Sequence, residues 1–363
     1  MIRPEIVSCE RSLIRKIRED TKDQRIEVDL SIGIPDFPIH PLLQSKIVEE
    51  IQNGNTRYAP NQGDPDLLAA LAQKYNVNTN ETIVTVGAAQ AIFAAMFATL
   101  KQKDKIVILC PAYPAYSHLA QMLRVKCRFV RTNSDGKLDL EELKKQAKGA
   151  RMIVACSPNN PDGMVLEKND VRAIAEIADD EGATVLADEC YESLAFEKHH
   201  SFLGESENVV KIASASKMFS ATGIRIGWLI SRKEIVEQLV KVQNFVVSGA
   251  PSAEQKAVAY CIASQTNYDE MKTAFEKRAG LASSILREHG IKHLKPKGAF
   301  YIFPEVSAPS YQFCLDIAKK SRVLAVPGEA FDLGKGHVRI ALTVNKEKIR
   351  KGVETIAEAI ENG

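Results

Sequence analysis

The residues best suited to covalent chemistry lie in Ser214-Ala215-Ser216-Lys217, followed eight positions later by Arg225 within Thr222-Gly223-Ile224-Arg225-Ile226-Gly227. A lysine amine can close an imine with an aldehyde, and a guanidinium presents a fixed fork of donors that matches a phosphate dianion. The two serine hydroxyls add further donors beside them. Pyridoxal 5'-phosphate (PLP) carries an aldehyde and a phosphate together, so this stretch reads as a candidate PLP site with Lys217 as its covalent anchor. A serine-lysine string in isolation is most often a solvated loop. The elements around it must therefore supply the rest of the site.

Helical and strand-like segments alternate through the middle of the chain, as a parallel sheet with crossover helices requires. Strand-like runs cover 82–86, 105–110, 125–131, 151–156, 184–187, 209–213 and 225–230, and helical patterns cover 66–75, 88–100, 115–123, 140–148 and 168–180. Long helices follow over 233–247, 253–264 and 268–288. Strand-like segments at 299–303, 323–326 and 337–342 between helices at 311–320 and 346–361 then indicate a separate α+β unit. The expected fold is α/β, with a mostly parallel seven-stranded sheet in a large domain and a smaller α+β domain after a boundary near Asn267.

Composition narrows the function. A length of 363 residues, 45% hydrophobic and 26% charged, is ordinary for a two-domain globular protein. A net charge of +2 with interspersed signs provides no basic stripe, which sets nucleic acid aside. The seven cysteines are scattered without C-x-x-C pairing and read as small buried hydrophobes in a reducing compartment. The adjacent His199 and His200 sit in a polar run without the spacing of a metal site, so no metal is expected. Residues 1–20 are rich in Arg, Lys and Glu with no apolar core of a secretory signal, and the longest apolar run, 88–100, is short of the ~20 residues of a membrane span. The expectation is a cytoplasmic enzyme without a membrane partner.

In an open parallel sheet, ligands sit at the carboxyl ends of the strands. Four such loops carry chemistry. In Val86-Gly87-Ala88-Ala89-Gln90, small residues open a helix where a phosphate can approach free backbone N–H groups. Cys110-Pro111-Ala112-Tyr113-Pro114-Ala115-Tyr116 places aromatics that could stack on a heteroaromatic ring. Ser157-Pro158-Asn159-Asn160-Pro161-Asp162-Gly163 is a turn after a strand. Asp188-Glu189-Cys190-Tyr191 puts a carboxylate at the end of an apolar strand, where a protonated ring nitrogen is a good partner. That pairing keeps a pyridine cationic, which is the electron sink PLP chemistry needs.

The order and spacing of these motifs, from Gly33-Ile34-Pro35-Asp36-Phe37 through Tyr58 and Gly63 to His337-Val338-Arg339-Ile340, resemble the class I/II, fold-type I PLP-dependent aminotransferases of the aspartate aminotransferase superfamily. The resemblance implies that Lys217 forms the internal aldimine and later moves the α-proton. It implies that Asp188 pairs with the pyridine N–H, that Tyr191 and Asn160 bond the phenolic oxygen, and that Tyr113 stacks on the ring. For the phosphate it implies Ser214, Ser216, Arg225, the backbone at Ala88 and Ala89, and Tyr58 of the neighbouring subunit in a homodimer. Arg339 would grip the substrate α-carboxylate, with Gly33 where the N-terminal segment closes over the substrate. It also implies that residues 1–44 join the small domain of 268–363, leaving 45–267 as the PLP-binding domain.

The implied reaction moves an amino group from an L-amino acid to a 2-oxo acid such as 2-oxoglutarate, through external aldimine and pyridoxamine phosphate forms. A PLP-dependent lyase of the C–S β-lyase type is the alternative on the same fold. Two departures bear on subfamily. Asp162 stands where the family usually has Thr, and can still cap the turn. Ala89 replaces a lysine of some dicarboxylate-selective relatives, which argues against aspartate as preferred donor. Arg57, Lys101 and His118 could approach the substrate side chain.

Overall fold

The computed structural model describes residues 2–132, 136–306 and 309–362. Seven strands form the large sheet: β1 (Thr82–Val86), β2 (Lys105–Cys110), β3 (Lys126–Arg131), β4 (Met152–Cys156), β5 (Thr184–Asp188), β6 (Val209–Ser214) and β7 (Ile226–Ile230). Their order is β1-β7-β6-β5-β4-β2-β3. All are parallel except β7, which runs antiparallel to β1 and β6. The expected mostly parallel seven-stranded sheet is therefore present.

Both faces of this sheet are covered, which is why strands such as β4 and β7 read as continuous apolar runs, whereas the edge strand β3 keeps Lys126, Arg128 and Arg131. Along the strands, Ile106, Ile108, Val154, Leu186, Ile212 and Leu229 pack into one core. Their neighbours Val107, Ile153 and Val185 pack into a second on the opposite face, and Val84, Ala213 and Trp228 into a third. That split is the period of two expected of pleated strands.

A fourth core joins Ile17, Val28 and Leu30 to buried residues between Ala279 and Ala357. Three strands, β8 (Tyr301–Ile302), β9 (Val326–Pro327) and β10 (Val338–Ala341), pair antiparallel in the order β9-β10-β8. The single strand expected over 323–326 is instead two. Val323–Leu324 pairs parallel with Val28–Asp29, whereas Val326 opposes Arg339 in the antiparallel sheet. Ala325 is where the chain passes from one sheet to the other, a change that local pattern does not encode.

Other differences are local. Helices Leu13–Asp20 and Pro41–Gln52 were not expected; the second starts with Pro at its first turn and a His40 ring nitrogen accepting from the Leu42 N–H at 3.3 Å. The strand expected from 225 begins at Ile226, because Arg225 is left-handed (φ 58°) at the end of the turn Thr222–Ile224. That kink turns its side chain back toward the end of β1, where it donates to the carbonyls of Thr222 (2.8 Å) and Val86 (3.3 Å).

The close crossing of β7 with the helix Gly87–Thr99 depends on glycine. A Cβ on Gly227 would stand 2.6 Å from the Gly87 carbonyl carbon and 2.7 Å from the Ala88 nitrogen, both backbone atoms that cannot rotate away. Gly227→Ala is expected to cost about 2–3 kcal/mol through overpacking, read as a lower urea midpoint at unchanged slope.

Candidate active site

The carboxyl ends of β1, β4, β5 and β6 converge on one cavity of about 900 Å³. Gly33, Ala88, Ala89, Tyr113, Asn160, Asp188, Tyr191, Ser214, Ser216, Lys217, Arg225 and Arg339 all line it. Tyr58 does not; its side chain is 92% exposed on the surface of the chain. Of the three basic residues expected near the substrate side chain, His118 lines the cavity and Arg57 and Lys101 do not.

Lys217 sits in the short helix Ala215–Met218, whose N-cap Ser214 hydroxyl accepts from the Ser216 N–H at 3.0 Å. Its Nζ donates to the Gly33 carbonyl at 2.8 Å. Burial, with the positive charges of Arg339 and Arg225 beyond it, lowers its pKa to about 8. Arg225 reaches the start of the helix Gly87–Thr99, where Gly87 (φ 70°) leaves it room: a Cβ there would lie 2.4 Å from a guanidinium nitrogen. The Ser216 hydroxyl, a guanidinium and the first N–H groups of a 13-residue helix thus line one cavity, beside Ser214, whose hydroxyl donates to the Ile226 carbonyl at 3.0 Å. That donor set fits a phosphate.

Asp188 ends β5, in register with Cys156 of β4 and Ile212 of β6, and is 6% exposed. Its carboxylate accepts from the Tyr116 hydroxyl at 2.6 Å and from the Cys190 N–H at 3.2 Å. Burial and the charge of Asp188 push the Tyr116 hydroxyl pKa well up, so Tyr116 remains a donor. Tyr191 and Tyr301 share a hydrogen bond at 3.0 Å. Tyr113 meets Tyr116 edge-on, with ring centroids 5.8 Å apart.

At the other end, Arg339 on β10 is 2% exposed. It donates to the Asn160 side-chain oxygen at 3.1 Å and to the Ser31 carbonyl at 2.8 Å, and its Nε is buried without a partner. Among the described residues it has no carboxylate within ion-pair distance. A buried guanidinium with an unused donor is a receptor for an anion. Below it, Asp162 accepts from the Met164 N–H at 3.0 Å and from the Asn159 amide at 2.9 Å, so the aspartate does cap the Asn160 turn.

With two anion receptors at either end and a buried carboxylate and lysine between them, the residues fit PLP and an amino acid together. The family model described as aminotransferase class I and II matches residues 25–356. The chain belongs to this family. It is a PLP-dependent aminotransferase. The aspartate aminotransferase of Pyrococcus horikoshii is 31% identical over 98% of this chain and 96% of that protein. Aromatic-amino-acid aminotransferase 2 of Thermococcus litoralis is 29% identical over 96% of this chain and 95% of its own length. The structure of the Thermus thermophilus aspartate aminotransferase with maleate superposes with a TM-score of 0.93 at 27% identity, covering 99% of both chains.

Sequence reasoning quoted Tyr116 but gave it no role, and it missed Tyr301, whose partner Tyr191 lies 110 positions away. The available signal for the first was its place two residues into the helix that leaves the Tyr113 loop; no local signal existed for the second. The N-terminal residues from Cys9 to Glu19 also reach the mouth of the cavity. His199 bonds to Glu189 and does not line the cavity. Among the described residues, no helix is long and apolar enough to cross a membrane.

Only a neutral amine attacks an electrophile, so a lysine whose pKa is lowered to about 8 has a reactive population that saturates early. In the cofactor-free protein, labelling of Lys217 by a small amine-reactive ester, read by mass spectrometry, should reach half its maximum near pH 8. Exposed lysines should still be gaining reactivity there.

Proposed function

We propose that this aminotransferase moves the amino group of an L-amino acid to a 2-oxo acid, 2-oxoglutarate being the acceptor, with Lys217 as covalent anchor and proton carrier. The observation that carries this reading is Lys217 itself, an amine of lowered pKa in one cavity with the buried Arg339 and the half-buried Arg225. Bound PLP supplies an aldehyde for that amine and a cationic ring that takes up the electrons released at Cα.

The residues divide the work. Ser214, Ser216, Arg225 and the N–H groups of Ala88 and Ala89 would hold the phosphate, and Asp188 would face the ring nitrogen with its carboxylate steadied by Tyr116. Tyr191 and Asn160 would bond the phenolic oxygen, and Tyr113 would cover the ring. Arg339 takes the substrate α-carboxylate on its free Nε edge, which orients the Cα–H bond toward Lys217. The Lys217 Nζ would take up that proton and hold it as an ammonium for return; its lowered pKa leaves part of the amine neutral at pH 7. Gly33, whose carbonyl already meets Nζ, lies where the N-terminal segment closes over the substrate.

The exposed Tyr58 supports a homodimer in which it reaches the phosphate site of the neighbouring subunit. The shared core of residues 17–30 and 279–357 supports a small domain made of 1–44 and 268–363, with 45–267 as the PLP-binding domain. The seven cysteines, all free, fit the reducing cytoplasm.

Lys217→Ala is expected to abolish multiple turnover while the protein remains folded. Normal turnover in that variant would remove the mechanism. Amino transfer is checked with an amino-acid panel and 2-oxoglutarate by following glutamate; release of ammonia with no need for an oxo acid would indicate a lyase instead. Arg339→Gln, which deletes the charged grip, should raise the KM for the amino donor about 100-fold, in line with ~3 kcal/mol for a buried charged hydrogen bond.

A further inference from the structure

The Asp188–Glu192 turn has two sides. Asp188, Cys190 and Tyr191 line the cavity, whereas Glu189 and Glu192 do not. Both carboxylates instead reach Lys211, which lies on β6 three residues before Ser214 and hence on the opposite face of the strand.

Lys211 is 1% exposed, an unusual site for an ammonium. Its Nζ contacts the Glu189 carboxylate, donates to Glu192 at 2.7 Å and to the Ser201 hydroxyl at 3.2 Å, and sits 4.8 Å above the Tyr75 ring. Glu189 is fully buried and further accepts from His199 (2.9 Å), the Ser201 hydroxyl (3.0 Å) and the Phe202 N–H (2.9 Å). Glu192 also accepts from the Tyr75 hydroxyl, and Tyr75 in turn accepts from the Trp228 ring N–H at 3.3 Å. Burial alone would push the Lys211 ammonium toward neutrality, but the two carboxylates outweigh it and hold it above its ordinary range. Burial likewise opposes the Glu189 charge, and Lys211 and His199 outweigh it in the other direction.

The network therefore ties three elements together behind the cavity. It joins the turn after β5, the strand β6 that leads to Lys217, and Trp228 on β7, through the helix Pro65–Tyr75. We propose that Lys211, through Glu189 and Glu192, is a positioning residue that sets Asp188 and Tyr191 against the cofactor ring. The proposal rests on the ring-facing roles given above to those two residues. The physical ground is the shared ammonium: it tethers the buried Glu189 and the half-buried Glu192 to one strand, and without it the two carboxylates would face each other across a turn of four residues, so losing either the ammonium or the Glu192 end of the tether frees the turn. Displacement of a catalytic group by about 1 Å is enough to lower a rate about 100-fold.

The test uses Lys211→Met and Glu192→Gln as PLP-saturated holoenzymes, measuring kcat, donor KM and the pH midpoint of the cofactor's visible absorption. Glu192 is the milder position, with its side chain 14% exposed, so Glu192→Gln carries the test alone if Lys211→Met does not fold. Expected are a kcat lower by about 10- to 100-fold, a donor KM within about threefold of wild type, and a displaced absorption midpoint. A folded variant with wild-type kcat and midpoint overturns the proposal. So does a loss of activity that only tracks the folded, PLP-loaded fraction with the midpoint unmoved, since that is a purely structural role. Turnover that survives Lys217→Ala removes the underlying mechanism, an outcome separate from either of these.

Discussion

Lys217, Arg225 and Arg339 share one cavity with a single buried carboxylate, Asp188, while the exposed Arg11, Arg15, Glu10 and Glu19, which also line it, offset one another. Most of what this molecule does depends on that imbalance. Water-poor surroundings make unpaired positive charge expensive, and the protein leaves the imbalance for ligands to correct. A phosphate at one end and a carboxylate at the other would supply the missing anions. The lysine between them responds in the only way open to a side chain that titrates, by giving up its proton more readily than a surface lysine.

Holding such a cluster requires a frame that does not yield. The parallel register supplies it: Cys156, Asp188 and Ile212 stand side by side across β4, β5 and β6, so the loops that follow leave the sheet at the same edge. Hydrogen bonds from Tyr116 and Cys190 then fix the Asp188 carboxylate, and the kink at Arg225 turns a residue that follows β6 by eleven positions back to the first turn after β1. On the far face of the sheet Glu189 and Glu192 are paired internally with Lys211. One face is thus left electrostatically open and the other is closed.

Much of this could be read along the chain because the α/β frame writes itself as alternating local patterns. The strands of the large sheet begin and end within about one residue of the apolar runs, since a strand covered on both faces needs nothing but apolar residues. The individual loops were legible because Gly, Asn, Pro and Ser there answer to local backbone and capping needs, as Asp162 and Ser214 do. The short elements were less legible. The division of 323–327 between two sheets follows from partners some 300 and 12 residues away, and a two-residue strand carries too few side chains to show a period.

The sequence by itself determined the kinds of group available: one lysine among hydroxyls, an arginine at a fixed offset, and an aspartate at the end of an apolar strand. Their residue types make imine formation, anion binding and charge pairing with a ring nitrogen available. Tertiary structure alone decided that they meet. It brought Tyr301 to Tyr191 and Arg339 to Asn160, and turned Glu189 away from the cavity while keeping its neighbour Asp188 inside. The reason is that proximity between distant residues, and the dielectric they then share, are properties of packing. Neither is written in any one segment of the chain.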